Sequence, residues 1–524
     1  MEAFLQPLQG LAEFEEIKKR CGANRGILNV SGCMESQKVH LMYGLSGLFP
    51  CHLILADDER NAKEIYEDYR FYDKNVYFYP AKDLLFFQAD IHGNLLIRQR
   101  MRVIRALLEQ EEVTVVTSID GCMDFLMPLE KIKSSLLHFK SDSVIDLDQL
   151  KADLVDLGYE RVGQVELPGQ FSVRGGIIDI YPLTEENPWR IELWDDEIDS
   201  IRSFDAESQR SLENIDEITI YPATEKMDCE DMVSFLDYFP EEKTLLFLDE
   251  LNHLAENGEG VEEEYRQSRM HREEKGEANL PEQWLCGFQE VQKKLNRRNC
   301  VAVSALSPRR SGWKINEEFD LTVKSVDSYN SSFELLVKDL LQYKSQGYRI
   351  ALLSGSRTRA ERLAKDLSEE GLNAFYSQDT DRIISPGEIM VVYGHARRGF
   401  QYPLIKFAVM TETDIFGKEQ KKRKKKKKYS GNRIQDFAEL SIGDLVVHEK
   451  HGLGIYRGIE KVEVDRVVKD YIKIEYRGGS NLYILATQLD ALQKYSGSSE
   501  NAKTPKLNKL GGQEWNKTKS RVRG

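Results

Sequence analysis

Strand-sized apolar runs alternate with helical stretches between Ile27 and about Glu130, and this alternation restricts the fold more than any other feature of the chain. Alternation of this kind is typical of a parallel sheet covered by helices on both faces. The predicted strands are 27–30, 52–56, 76–79 and 113–116, and the predicted helices include 58–72 and 94–109. The pattern therefore predicts a doubly wound α/β domain at the start of the chain.

A near match to a phosphate-binding loop follows the first of these strands. Gly32, Gln37, Lys38 and Val39 stand at the fixed positions of G-x-x-x-x-G-K-[ST]. In a working loop the second glycine lets the backbone wrap the phosphates, and the final hydroxyl holds Mg²⁺. Glutamine and valine do neither, so we interpret the loop as degenerate and predict no nucleotide, metal or other cofactor and no catalytic residue here. An unrelated strand-to-helix turn is the alternative.

Two carboxylates, Asp249 and Glu250, end a later apolar strand at 245–248. A nucleotide-driven motor holds Mg²⁺ and the attacking water at such a strand end. Many strands end in acidic turns, however, so this feature taken alone is weak evidence for a motor.

Composition excludes several classes of protein. The net charge of −14 argues against a body that binds DNA non-specifically, because that affinity comes from lysine and arginine. No apolar run is long enough to span a membrane, and the N-terminus lacks the features of a secretory signal. Seven cysteines without C-x-x-C spacing suggest free, buried thiols in a reducing cytoplasm, and neither disulfides nor a zinc site.

The block 159–200 alternates apolar and polar residues as short antiparallel strands do. Arg161, Arg174 and Arg190 recur on this predicted β surface, and Glu192 follows Arg190 on the same strand face. No aspartate or histidine arrangement would make these arginines catalytic, so we interpret the surface as a binding site. The alternative is a solvated face with weak surface ion pairs.

A second α/β unit is predicted at 331–416 and is interpreted as scaffold. Its predicted strands are 349–353, 372–376, 389–393 and 405–410, with a helix at 358–370. The next stretch, 417–436, is polar and carries eight consecutive basic residues at 421–428. Such a run repels itself and cannot bury a face, which predicts a linker. It could contact nucleic acid or the acidic body, and a solubilising tether is the alternative.

Short alternating strands with glycine turns follow at 442–495. Their spacing predicts a small Tudor-like or SH3-like β-barrel. His448 and His451 lie early in it, but no third ligand with suitable spacing follows, so we assign them no metal. The stretch 459–464 alternates apolar residues, and an unpaired strand edge of this kind is a natural template for strand addition.

Taken in order, these features resemble the family of bacterial transcription-repair coupling factors over most of the chain. The resemblance depends on the degenerate loop, Tyr79-Pro-Ala-Lys-Asp83, the block Y-E-R…F-S-V-R-G-G-I-I-D-I-Y-P…R-I-E-L-W-D-D-E-I-D-S-I-R and the acidic strand end. These are similar to the UvrB-homology part of the family. The run G-D-L-V-V-H-E-K-H-G-L-G-I-Y at 443–456 is similar to the RNA polymerase interaction module that the family shares with CarD-type regulators.

The resemblance implies that the inserted domain binds the damage-recognition ATPase UvrA. In UvrB-like proteins that role belongs to arginines and a glutamate, which here are Arg161, Arg174, Arg190 and Glu192. Ser172 stands where UvrB proteins often have another arginine, which implies a softer interface.

The resemblance further implies that the barrel pairs a strand with the β subunit of RNA polymerase, through Lys461, Val462 and Glu463. The stretch 84–93 is too short for the DNA-clamping hairpin of UvrB, which favours the coupling factors over UvrB itself.

An α/β multidomain organisation with seven segments is implied. The segments are a UvrB-like α/β domain in two parts at 1–130 and 214–330, an inserted UvrA-binding domain at 131–213, a third α/β domain at 331–416, the basic linker at 417–436, an RNA polymerase interaction domain at 437–497 and a linker at 498–524. We expect an N-terminal fragment that lacks an ATP-dependent DNA translocase of helicase superfamily 2. That motor would carry the ATP, the Mg²⁺ and most of the DNA binding.

The expected function is a scaffold that binds stalled RNA polymerase and recruits UvrA for nucleotide excision repair, without chemistry of its own. One alternative is a UvrB-like NTPase of excision repair that uses Lys38 with Asp249 and Glu250. The other is a CarD-like transcription regulator that needs only the barrel.

Overall fold

The computed structural model describes residues 1–23, 25–82, 94–225, 231–275, 285–308, 312–417, 440, 442–448, 451–464, 467–477, 481–485, 492–494 and 507. The predictions for 84–93, for the basic linker after Gly417 and for the tail at 498–524 other than Leu507 therefore lie outside the described residues. No described helix is long and apolar enough to cross a membrane.

Seven parallel strands form the sheet of the first domain. In spatial order they are Ile315–Asp320, Gly26–Ser31, Asn299–Val303, Thr244–Asp249, Cys51–Ala56, Val113–Ser118 and Val76–Tyr79. Alternate residues of a strand enter two separate apolar cores; Phe247 packs in one, and Leu246 and Leu248 pack in the other. Burial on both faces explains why these strands are continuous apolar runs in the sequence.

The helices of this domain are Glu2–Leu8, Ala12–Arg20, Glu35–Ser46, Glu59–Tyr72, Asn94–Glu109, Ile119–Cys122, Leu129–Ser134, Leu251–Lys275 and Phe288–Leu295. A short antiparallel ribbon joins Phe125–Leu126 to Val233–Ser234, which precedes the 3-10 turn Phe235–Tyr238. The strands and helices predicted within the first 130 residues are confirmed to within two residues at each end. The predicted mixed α/β class is therefore confirmed for this domain.

A six-stranded sheet is inserted between the two parts of the first domain. In spatial order its strands are Ser211–Asn214, Glu197–Phe204, Trp189–Trp194, Ile177–Tyr181, Gln170–Arg174 and Glu160–Arg161. All neighbours are antiparallel except the last pair. Its apolar face packs with helix Leu147–Asp156 around Phe171, Ile180 and Ile191. The opposite face carries the polar residues predicted for binding.

The strand Glu217–Ile220 corrects one expectation. The sequence predicted a return to the α/β domain at 214, near Ile218, but this strand pairs with Leu137–Lys140, and Ile218 lies in the core of the inserted sheet. The chain re-enters the seven-stranded sheet only at Thr244. The alternating apolar pattern of this strand is compatible with either domain. Only the strand with which it pairs shows the domain to which it belongs. The other domain boundaries stay predictions.

The third domain contains a six-stranded sheet. In spatial order its strands are Lys324–Ser325, Phe400–Tyr402, Phe407–Thr411, Arg349–Ser354, Glu388–Tyr393 and Asn373–Tyr376, and its helices are Phe333–Ser345, Arg357–Glu369 and Glu412–Phe416. The last four strands are parallel. One face packs on the domain's own helices, whereas Ala351 and Leu353 on the other face share an apolar core with the first domain.

The last described unit is an antiparallel five-stranded sheet. Its strands are, in spatial order, Asn481–Leu485, Val467–Glu475, Gly452–Val464, Leu445–His448 and Leu492–Lys494. Val446, Tyr456, Ile472 and Ile474 form its core. A β-rich domain is thus confirmed here, and closure into a Tudor-like or SH3-like barrel stays a prediction.

Candidate functional sites

Arg174 and Arg190 meet on one carboxylate of the inserted sheet. Asp179 is directly opposite Arg190 on the neighbouring strand. Its Oδ1 accepts from Arg190 Nε at 2.6 Å, and its Oδ2 accepts from Arg190 Nη2 at 2.9 Å and from Arg174 Nη2 at 2.7 Å. Asp179 is fully buried. A single buried negative charge therefore orients both arginines.

Arg190 is held more firmly than Arg174. Its guanidinium lies 4.4 Å from the centroid of the Phe204 ring, and its Nη2 donates to Gln209 Oε1 at 3.1 Å. The hydrogen bond to Asp179 raises the pKa of Arg190. The Arg190 side chain is 13% exposed and that of Arg174 is 47% exposed. Arg190 therefore supports the surface, and Arg174 presents a positioned guanidinium to solvent.

Glu192 is also held in place. It accepts hydrogen bonds from Arg202 and from Ser200 Oγ, which lies 3.4 Å away, both on the adjacent strand. The face thus presents fixed cations beside a fixed anion. Charges fixed in this way can set the orientation and the specificity of a protein partner.

Arg161 does not share the row of Arg174 and Arg190, so that expectation is wrong. The register pairs Arg161 with Phe171, which is buried on the apolar side, whereas Glu160 pairs with Gln170 on the polar side. Side chains alternate along a strand, so Glu160 occupies the polar row. Arg161 is exposed at the sheet edge, and its side chain makes no ion pair with any described residue.

Ser172 is directly opposite Asp179 and is 1% exposed. Its hydroxyl has no hydrogen-bond partner in the described part of the chain. The small side chain leaves the space around Asp179 to Arg174 and Arg190. Ser172, which stands where UvrB proteins often have an arginine, is therefore a small buried residue beneath the charged face.

Sequence reasoning missed Asp179, Arg202 and Gln209. Asp179 stands between two buried isoleucines, so the alternation of side chains would have placed it on the arginine face. Gln209 comes from a loop with a φ of +59°, for which no sequence pattern gave a signal.

Lys38 lies in a buried ion cluster. Its Nζ donates to Asp249 Oδ1 at 2.7 Å and to Glu250 Oε1 at 2.6 Å, and Asp249 Oδ2 accepts from Asn61 Nδ2 at 2.7 Å. The parallel strands that precede Lys38 and Asp249 end at the same edge of the sheet, which brings the two residues together. Burial raises the pKa of Asp249; burial also opposes the charge of Lys38, but the two carboxylates outweigh it and raise the pKa of the lysine.

The side chains at the two altered positions of the loop, Gln37 and Val39, are packed inside the protein. Val39 is fully buried, and the Gln37 side chain is buried with its Oε1 accepting from Met34 N at 3.0 Å. Gly32 has a φ of +77°, and a Cβ there would lie 2.2 Å from the carbonyl oxygen of Leu321. Gly32 therefore makes a tight turn that a side chain would obstruct, and Lys38 is neutralised by carboxylates of the protein itself.

Within the described residues, neither the cysteine thiols nor any group of metal-ligand side chains adds a further site. The six described cysteines are free, and all except Cys21 are buried. Burial raises the pKa of Cys33 to about 12, so this thiol stays protonated and unreactive at neutral pH. No group of His, Cys, Asp and Glu in the described ranges has the arrangement of a metal site.

The strand Gly452–Val464 has one edge that the described strands cover only in part. It pairs with Val467–Glu475 up to Val464, whereas Leu445–His448 covers only its first four residues. Beyond Tyr456, no described strand pairs with that second edge. Lys461, Val462 and Glu463 lie on this half of the strand. An edge with free backbone groups is the geometry that strand addition requires.

Two family models match the chain. The UvrB interaction domain matches residues 137–225, which hold the inserted sheet and the paired strands Leu137–Lys140 and Glu217–Ile220. The CarD-like/TRCF RID domain matches residues 440–496, which hold the five-stranded sheet.

Curated relatives match most of the chain. The transcription-repair-coupling factor of Bacillus subtilis strain 168 is 31% identical over an alignment of 567 residues. The alignment covers 94% of this chain and 48% of the relative. Those of Staphylococcus aureus strains MRSA252 and USA300 are 30% and 29% identical over 509 residues, which cover 86% of this chain and 43% of each relative. The chain spans about half the length of the curated relatives it matches. With two family domains matched and this similarity along most of its length, the chain is similar to the transcription-repair-coupling factors.

Proposed function

We propose that this chain is the scaffold portion of a transcription-repair coupling factor, which binds stalled RNA polymerase and recruits UvrA for nucleotide excision repair. The observation that carries the proposal is that one chain holds both a charged face with two oriented arginines and a strand edge that no described strand covers. The pre-ordered arginine face lies in the part that matches the UvrB interaction domain, and the open strand edge lies in the part that matches the CarD-like/TRCF RID domain. The parent protein would be an ATP-dependent DNA translocase.

UvrA is the proposed partner of the arginine face. Arg174 and Glu192 would make the direct contacts, with Arg190 and Asp179 holding the geometry. Arg161 would contact UvrA from the sheet edge, as a more peripheral residue. Arginines supported in this way lose little freedom on binding, which is why they are frequent anchors of protein interfaces.

The β subunit of RNA polymerase is the proposed partner of the open edge. A strand of the polymerase would pair with the edge of 457–464 that no described strand covers, and Val462 would supply an apolar contact between Lys461 and Glu463. We further propose that the five-stranded sheet closes as a Tudor-like or SH3-like barrel. Both alternatives from the sequence explain less of the chain. A CarD-like regulator does not account for the arginine face, and a UvrB-like NTPase does not account for the five-stranded sheet that matches the CarD-like/TRCF RID domain.

Both partners should be captured by the 524-residue chain. We expect immobilised chain to retain purified UvrA and purified RNA polymerase core, together and separately. Retention of neither protein, by a chain shown to be folded by circular dichroism, contradicts the proposed function.

Changing Val462 to Glu should weaken RNA polymerase binding by about 10- to 100-fold, the usual effect of losing a central apolar contact. Affinity is measured by surface plasmon resonance with immobilised chain. UvrA binding by the same variant is the control, because the arginine face lies in another domain, and it should be unchanged. If Val462→Glu binds the polymerase as tightly as wild type, this strand is not the contact.

Nucleotide binding should be absent from this chain. Lys38 is already neutralised by Asp249 and Glu250, and Val39 offers no hydroxyl for Mg²⁺. Isothermal titration with Mg-ATP should give no saturable heat. Saturable binding that Lys38→Arg abolishes, with the fold retained, would instead support the UvrB-like NTPase.

A further inference from the structure

The residue that replaces the second loop glycine contacts the third domain. Gln37 Nε2 donates to the hydroxyl of Tyr402 at 2.9 Å, and that hydroxyl lies 3.1 Å from His40 Nδ1. His40 Nε2 lies 2.9 Å from the carbonyl oxygen of Phe4 on the N-terminal helix. All four groups are buried. Glutamine at this position therefore has a partner 365 residues away.

The directions of these hydrogen bonds follow from their end groups. A carbonyl only accepts, so His40 Nε2 carries the proton and His40 Nδ1 accepts from the Tyr402 hydroxyl. Gln37 Oε1 accepts from Met34 N, which leaves the Gln37 amide nitrogen as donor to Tyr402. Burial lowers the pKa of His40 to about 4, so the ring is neutral as this chain of bonds requires. Each of these hydrogen bonds therefore pairs one donor with one acceptor.

A second polar contact joins the same two domains. Asp68, which is 1% exposed, accepts from Arg397 N at 3.0 Å, from Arg397 Nε at 3.1 Å and from Ser36 Oγ at 2.7 Å. Ser36 Oγ in turn accepts from Arg398 N at 3.1 Å. The loop of the third domain thus binds the first turn of the helix that follows the degenerate loop.

Apolar packing continues around these bonds. Phe4 lies between the domains, with its ring centroid 5.1 Å from that of Phe71 and 6.5 Å from that of Phe407. A Cβ on Gly394 of the third domain would lie 2.2 Å from the Phe71 ring, so the backbone there approaches closely. Glu35 beside the contact has a φ of +22°, a conformation that L side chains rarely adopt and that persists only where surroundings hold it.

We propose that the third domain is the internal ligand of the degenerate phosphate loop. Where a working loop presents the start of its helix to phosphates, this helix presents Ser36 and Gln37 to the third domain. Tyr402, Arg397 and Arg398 then hold the UvrB-like domain and the third domain as one mechanical unit. This interaction assigns a role to Gln37 and a role to the third domain that does not depend on UvrA or on polymerase.

Tyr402→Phe tests the proposal because it removes one hydroxyl and keeps the aromatic ring. Gln37 and His40 would each lose a buried partner, so amide hydrogen exchange should accelerate about 5- to 100-fold in helix Glu35–Ser46 of the first domain as well as around residues 400–402. Exchange is followed by mass spectrometry on the full chain. Tyr376→Phe is the matched control, since the Tyr376 hydroxyl on another strand of the third domain has no described hydrogen-bond partner.

Gln37→Ala tests the same contact from the other side. Faster exchange should then reach residues 400–402 in the third domain, although the substitution is in the first. This reciprocal variant also serves if Tyr402→Phe does not fold. Acceleration confined to the mutated domain in either variant, or no greater than with Tyr376→Phe, would overturn the proposal.

Discussion

Arg174→Glu should reduce the affinity for UvrA by about 100-fold or more, which corresponds to the loss of an interface anchor worth about 3–4 kcal/mol. The substitution removes the exposed guanidinium that Asp179 positions, and it adds a second carboxylate beside that buried charge. Because the Arg174 side chain is 47% exposed and lies at the end of its strand, the inserted domain should still fold. Binding is measured by isothermal titration of UvrA into the chain.

Lys133→Glu is the matched control for Arg174→Glu. It makes the same kind of charge change at an exposed position on helix Leu129–Ser134, away from the arginine face. UvrA affinity should stay within about threefold of wild type, since a lone rim charge contributes little. Equal losses in both variants would indicate a general effect of charge, and full binding by Arg174→Glu would place the UvrA interface elsewhere.

Lys38→Met should destabilise the first domain by about 3–5 kcal/mol, because removing one member of a buried ion cluster leaves its partners uncompensated. Asp249 is 2% exposed and would face Glu250 without a cation. Differential scanning calorimetry on the full chain should show the transition of this domain at a lower temperature. Lys38→Met combined with Asp249→Asn should recover part of the loss, because the buried charge is then removed as well.

The loss in Lys38→Met should be larger at about pH 7 than at about pH 5. Burial and Glu250 raise the pKa of Asp249, and Lys38 is the main influence that lowers it. Without the lysine the folded-state pKa rises further above that of the unfolded chain. A carboxyl shifted in this direction favours the folded state when it is protonated, so stability is lost as pH rises through the interval between the two pKa values. A loss independent of pH would show that packing, and not charge, is the function of Lys38.

Much of the architecture could be predicted from local pattern. The strands that begin at Val76 and Val113 and the helix Asn94–Glu109 follow directly from apolar periodicity, since burial on both sheet faces leaves continuous apolar runs. The alternation in 159–200 likewise located the strands that carry Arg174, Arg190 and Glu192. Short strands without a pattern of their own, such as Lys324–Ser325, were missed because their pairing partners are remote in the sequence.

Contacts between segments remote in the sequence could not be predicted from local pattern. Asp179 as the common acceptor of two arginines depends on the register between strands, and the displacement of Arg161 from their row depends on the same register. The strand Glu217–Ile220 was assigned to the wrong domain because its pattern fits either sheet. Each of these outcomes is decided by pairing, which a single strand does not encode.

The sequence by itself determined the order of α/β and β segments, the family resemblance, and the presence of Gln37 and Val39 where a working phosphate loop has a glycine and a hydroxyl. Only the tertiary structure decided what took their place: Lys38 is neutralised by Asp249 and Glu250, and Gln37 binds Tyr402 from another domain. The physical reason is that a motif records which groups are present, whereas the electrostatic state of a lysine and the partner of a buried amide depend on what the fold brings within about 3 Å of them.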